Sequence, residues 1–137
     1  MNVGIIGSGG REHAICSSIK NSKNIDKIYC FPGNAGTKSL ATNVDININN
    51  FDEIKSYVKA KDIGLLIVGP EKPLVDGIVD FFKDLQINIF GPNKAGSQLE
   101  GSKIFTKKIC QKFNIPTANF GIFQNPDESK KFLEKSK

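Results

Sequence analysis

Tryptophan is absent from these 137 residues, and arginine and histidine occur once each, at Arg11 and His13. Cysteine is scarce: Cys16, Cys30 and Cys110 are odd in number and widely spaced. They match neither a disulfide framework nor a zinc site, so a reduced, cytoplasmic setting is expected, with the thiols as small buried apolar residues. No apolar run approaches the ~20 residues needed to span a bilayer, and no membrane partner is expected. The amino terminus enters directly into an apolar strand rather than a signal peptide. Eighteen of the nineteen basic residues are lysines scattered along the chain, and the formal net charge is +5. A nucleic-acid binder clusters arginines and interleaves aromatics on one face. These lysines read instead as a solvated surface with a weak pull on anions, and no nucleic-acid partner is expected.

What is present is concentrated at the start. Val3 to Ile6 form an apolar run that stops at Gly7-Ser8-Gly9-Gly10, and apolar residues resume at Ala14, Ile15 and Ile19. The pattern predicts a buried strand, a glycine turn and a helix, the opening of a βαβ unit. Free N–H groups and the positive end of the helix dipole coincide at such a helix start, which makes it an anion site. The spacing narrows the anion. A dinucleotide fingerprint needs G-x-G-x-x-G and an acidic residue about 20 positions on. Here Glu12 stands where the third glycine belongs, and the next strand ends at Tyr29-Cys30-Phe31-Pro32 without a carboxylate. No Gly-Lys-Ser/Thr follows, so a Walker loop is excluded as well. A glycine loop with Arg11 beside it suits a small phosphorylated ligand. The competing reading is a tight turn that binds nothing.

The rest alternates in the same way. Ile25 to Phe31 predict a second strand, followed by the turn Pro32-Gly33-Asn34-Ala35-Gly36-Thr37, a candidate second wall. Alternation over residues 43–49 suits an edge strand, and Asn50-Phe51-Asp52-Glu53 resembles a capping box opening a helix. Leu65 to Val68 predict a buried central strand ending in Gly69-Pro70-Glu71-Lys72, and a helix with Val75, Ile78, Val79 and Phe82 on one face follows. Glu71 at that strand's carboxyl end can accept from sugar hydroxyls or an amine, or be a solvated charge beside Lys72. Ile87 to Phe90 form the last strand of a doubly wound α/β domain over residues 1–101. Residues 102–137 read as the start of a second domain: a helix with Phe105, Ile109 and Phe113, a strand from Ala118 to Phe123, and a helix capped at Asn125-Pro126-Asp127-Glu128. That tail cannot make a core of its own.

Four motifs, Gly7-Ser8-Gly9-Gly10-Arg11-Glu12-His13-Ala14, Pro32-Gly33-Asn34-Ala35-Gly36-Thr37, Val68-Gly69-Pro70-Glu71-Lys72-Pro73-Leu74 and Leu99-Glu100-Gly101-Ser102-Lys103, resemble in order and spacing the phosphoribosylamine–glycine ligase family. The resemblance extends through Asn114-Ile115-Pro116-Thr117-Ala118. It implies a Rossmann-like domain preceding an ATP-grasp domain, and a cytoplasmic, monomeric enzyme of purine synthesis. The implied reaction joins 5-phosphoribosylamine to glycine through a glycyl phosphate, with ATP and Mg2+ or Mn2+. It further implies that Gly9, Gly10 and Arg11 take the phosphate. Asn34, Gly36 and Pro70 then line the pocket, and Glu71 takes ribose hydroxyls or the amine. Lys103 matches a lysine placed near the nucleotide phosphates, against the alternative of a surface lysine. His13 reads as an orienting or packing residue. Family members are much longer, with their magnesium carboxylates beyond residue 137, so the chain on its own is expected to be catalytically silent. Two readings compete: a free-standing nucleotide-sugar or dinucleotide module, opposed by Glu12 and the missing strand-tip carboxylate, and a basic RNA-binding domain, supported by net charge alone.

Overall fold

A computed structural model describes residues 1–135 of the chain. Strands and helices alternate from the start: β1 (Asn2–Gly7), α1 (Gly10–Ile19), β2 (Lys27–Pro32), a single 3-10 turn (Thr37–Ser39), β3 (Thr42–Asn43), α2 (Phe51–Ala60) and β4 (Ile63–Val68). Two short helices, α3 (Glu71–Asp76) and α4 (Ile78–Phe81), lead to β5 (Asn88–Phe90) and α5 (Lys94–Gly101). The helices α6 (Lys103–Lys112) and α7 (Pro126–Glu134) complete the described residues. None of these helices is long and apolar enough to cross a membrane.

The five strands form one sheet in the order β3-β2-β1-β4-β5, parallel throughout. β1 lies in the middle, paired with β2 from Asn2↔Lys27 to Gly7↔Pro32 and with β4 from Asn2↔Ile63 to Ile6↔Val68. From β1 the chain winds outward to β3, then returns across the sheet to β4. The winding therefore reverses between β1 and β4, where open α/β sheets hold their ligands.

Both faces of the sheet are covered, as a parallel sheet requires. On one face Ile6, Phe31, Leu66 and Val68 pack with Ile54 and Val58 of α2 and with Leu74, Ile78 and Phe82. On the other, Val3, Ile5, Ile28 and Cys30 pack against Cys16 of α1. Each fully buried large apolar side chain contributes about 1.5–3 kcal/mol. The capping signal at α2 is realised as a variant. Asn50 Oδ1 accepts from the Glu53 amide at 3.2 Å, while Glu53 Oε2 accepts from the Asn50 side-chain amide at 2.9 Å.

Four expectations are corrected, and one element is added. Ala14 is exposed, and the inward face of α1 is Glu12, Ile15, Cys16 and Ile19, because the helix begins at Gly10 and so sets that phase. The edge strand is only Thr42–Asn43; Val44, Ile46 and Ile48 pack on the core without extending the ladder. The helix after β4 breaks at Gly77, whose φ of 96° no ordinary helical residue adopts, so Leu74, rather than Val75, packs on the core with Ile78, Val79 and Phe82. Helix α5 is additional to the predicted elements. Residues 118–123 form no strand: without a neighbouring strand among the described residues, their backbone groups have no ladder to join.

The chain divides into two compact units, Met1–Ser97 and the residues from Gln98 onward. The first contains the sheet and both core clusters. The second has no fully buried residue among those described, and Phe113, Leu133, Ile104 and Leu99 are each more than half exposed. Within it Lys107 ties α6 to the following segment, donating to Thr117 Oγ1 at 2.5 Å and to the Ala118 carbonyl at 3.2 Å.

Candidate functional site

At the carboxyl edge of the sheet, three loops meet around β1. The Gly33 amide donates to the Gly7 carbonyl and the Gly69 amide to the Ile6 carbonyl, both at 3.1 Å. The end of β1 is thus hydrogen-bonded to the turns after β2 and β4. Gly7 sits at φ 126°, a conformation that side-chain-bearing residues rarely adopt. Gly9 is the extended residue preceding α1.

The centre of the arrangement is Glu12, only 3% exposed. Its Oε2 accepts from the Gly9 amide at 2.6 Å, with glycine in the N-cap position and glutamate three residues on. The carboxylate also shapes its neighbours. A Cβ on Gly7 would lie 2.6 Å from Glu12 Cδ, and a Cβ on Gly69 would collide with Oε1. Both loops carry glycine because this carboxylate fills the space between them. A negative charge here is also favoured by the amino end of the α1 dipole.

Arg11 bridges the same two loops from outside. Its Nη1 donates to the Gly69 carbonyl, its Nε stands 4.0 Å from Glu12 Oε1, and its side chain is 60% exposed. A guanidinium has five donors, so this bond leaves others for an incoming anion. The Gly9 amide, expected to meet that anion, is committed to Glu12 instead. Gly10 has open space where a side chain would stand, so the outer side of the turn is accessible.

Asn34 is likewise turned onto the backbone. Its Nδ2 donates to the carbonyls of Ser8 and Gly9 at 2.9 and 3.1 Å, and its Oδ1 accepts from the Thr37 amide at 2.9 Å. Thr37, fully buried, exchanges further bonds with the Asn34 backbone and donates to Asn43 Oδ1 at 2.7 Å. Asn43 Nδ2 returns to the Asn34 carbonyl at 2.7 Å. This network fixes the second wall. His13 packs on Gly36, where a Cβ would come within 3.0 Å of its ring. Pro70 precedes α3, and Glu71 is its exposed first residue.

The fold therefore brings together Gly9, Gly10, Arg11, Asn34, Gly36, Pro70 and Glu71 on three adjacent loops of the first unit. Lys103 belongs to the second unit, exposed as the first residue of α6, next to a Ser102 cap that accepts from the Phe105 amide at 3.2 Å. Sequence reasoning missed Glu12, Thr37, Asn43 and Gly69 as organising residues. For Glu12 a signal existed: glycine followed at three residues by glutamate is the spacing of a capping box. Among the described residues no group of three or more His, Cys, Asp or Glu side chains could hold a metal ion. The donor set does not fit magnesium.

The profile of the phosphoribosylglycinamide synthetase N domain matches residues 1–100. The phosphoribosylamine–glycine ligase of Clostridium acetobutylicum is 44% identical over 135 residues, covering 98% of this chain and 32% of that protein. Its counterpart from Caldanaerobacter subterraneus is 45% identical over 136 residues, covering 99% of this chain and 33% of that protein. The crystal structure of phosphoribosylamine–glycine ligase from Thermotoga maritima superposes with a TM-score of 0.68 at 31% identity, over 98% of this chain and 30% of the other. The chain spans about a third of the length of the curated relatives it matches. A glycine loop built around a buried glutamate, on a parallel sheet reversing between β1 and β4, thus comes with a family match over most of the chain: it belongs to the phosphoribosylglycinamide synthetase family, of which residues 1–100 are the N domain.

Proposed function

We propose that this chain is the amino-terminal part of a phosphoribosylamine–glycine ligase and holds the phosphoribosyl end of its substrate. The observation that carries this reading is the joining of the β1 and β4 turns, by Arg11 on the outside and Glu12 on the inside, at the point where the sheet reverses. The phosphate docks against Gly10, the open side of the α1 start and the remaining donors of Arg11. Glu71, at the mouth of the β4 turn, accepts from ribose hydroxyls or from the amine. Asn34 and Gly36 act as a wall whose shape the Thr37–Asn43 network maintains. Pro70 sets the backbone direction into Glu71. Holding a labile sugar amine in one orientation, with water excluded, is the contribution such a domain makes to acyl transfer from glycyl phosphate.

Residues 1–101 are the substrate domain in this reading, and residues 102–137 open an ATP-grasp domain in which Lys103 approaches nucleotide phosphates. ATP and magnesium are used by the complete enzyme, a cytoplasmic monomer.

Calorimetry with ribose 5-phosphate, a stable stand-in for the labile amine, tests the reading. Arg11→Ala should weaken binding by roughly 1.5–3 kcal/mol, as for loss of a charge-assisted hydrogen bond. The thermal midpoint should move little. Selective, tight NAD binding in place of ribose 5-phosphate would overturn the reading and favour a dinucleotide module. Incubated with ATP, magnesium, glycine and fresh phosphoribosylamine, the chain should release no ADP above background.

A further inference from the structure

The proposed site leaves one reactive pair unused. Cys16 on the inner face of α1 and Cys30 in the middle of β2 are both fully buried, and their sulfurs lie 3.3 Å apart. They share the cluster formed by Val3, Ile5 and Ile28, which holds the helix against the strand. Cys16 is one helical turn after Glu12, and Cys30 stands two residues before Pro32, where the second wall begins. The two sulfurs therefore face each other directly beneath the loops of the site.

We infer that Cys16 and Cys30 are an oxidisable dithiol that closes, under a peroxide oxidant, to an intramolecular disulfide joining α1 to β2. A disulfide needs sulfurs at about 2.0 Å, so closure requires only a short approach along a line the side chains already define. The chemistry balances with hydrogen peroxide as the oxidant. One thiol loses its proton, and its sulfur attacks a peroxide oxygen; the O–O bond breaks, hydroxide leaves, and a sulfenic acid forms. The second sulfur then attacks the first, its S–H proton leaving as the S–S bond forms and hydroxide departs. The two thiol protons join the two hydroxides, so two thiols and one peroxide give one disulfide and two waters.

Burial, and next the hydrogen bond with Cys16, push the Cys30 thiol up to about 12, so Cys30 stays protonated at neutral pH. Either sulfur can attack peroxide first, and the other, 3.3 Å away, resolves the sulfenic acid. Because both are sealed from solvent, the first step proceeds when α1 opens locally. The second follows on reclosure, because the partner sulfur is then already in place.

The test uses the full chain carrying Cys110→Ser, which removes the half-buried third thiol. After hydrogen peroxide under folding conditions, the protein is unfolded, treated with iodoacetamide and weighed by mass spectrometry. The expected product takes up no iodoacetamide, is two hydrogen atoms lighter, remains a monomer and recovers both thiols with dithiothreitol. Two thiols still alkylatable after a dose that oxidises Cys110 in the unsubstituted chain would overturn the inference, as would sulfinic acid at one cysteine alone. A second variant, Cys16→Ala with Cys110→Ser, separates pairing from simple exposure. Its remaining Cys30 has no partner sulfur to close on and should give no monomer two hydrogen atoms lighter. A monomer two hydrogen atoms lighter in this variant would also overturn the inference.

Discussion

At the residue scale, the candidate site depends on a carboxylate that is turned inward. Glu12 takes up the Gly9 amide and fills the space between Gly7 and Gly69, so a methyl group at residue 69 has nowhere to go. Gly69→Ala should therefore lower stability by about 1–3 kcal/mol, the usual cost of overpacking, and weaken ribose 5-phosphate binding with it. Urea unfolding and calorimetry on the same sample check both. Cys30 gives a prediction in pH. Its folded value is raised from an ordinary 9.0 to about 12, so the unfolded chain ionises first. The stability it contributes is complete below pH 9 and is lost as pH rises from there towards 12. Cys30→Ala, although less stable at neutral pH, should show a shallower alkaline fall in thermal midpoint.

At the element scale, α2 depends on its cap. Asn50→Ala removes the acceptor for the Glu53 amide and should cost about 0.5–2 kcal/mol by chemical denaturation, with the core unchanged. That cap, like β1, β2, β4 and α7, was legible in the sequence because local chemistry alone decides it: a capping asparagine or an unbroken apolar run. The glycine turns and Glu71 were legible too, as residues at the ends of apolar runs. What escaped depended on contacts between distant residues. The value of Glu12 comes from Gly69, which reaches it only once β4 pairs with β1. The bonds of Asn34 to Ser8 and Gly9 were likewise invisible before β2 lies beside β1. The strand expected at 118–123 failed for the complementary reason: alternation can suggest a strand, but only a neighbour makes one.

At the scale of the molecule, the buried core lies in the first unit, and the second has no fully buried residue among those described. Both core clusters lie within Met1–Ser97, while the described residues after Gln98 leave Phe113, Leu133 and Ile104 largely in solvent. A chain ending at Gly101, which keeps α5 whole, should unfold in one cooperative urea transition and bind ribose 5-phosphate as the longer chain does. Coincident transitions by circular dichroism and tyrosine fluorescence would establish this, and a broad, probe-dependent transition would refute it.

The central place of β1 also has a consequence for synthesis. β1 leaves the ribosome before both of its neighbours: β2, beginning at Lys27, soon covers one edge, but the other waits for Ile63 to Val68. Throughout that interval the nascent chain presents Val3, Ile5 and Ile6 along an unpaired edge, the kind of surface on which growing polypeptides aggregate or recruit chaperones. Emergence of β4 ends the exposure, and the same pairing event brings Gly69 over Glu12 and completes the candidate site.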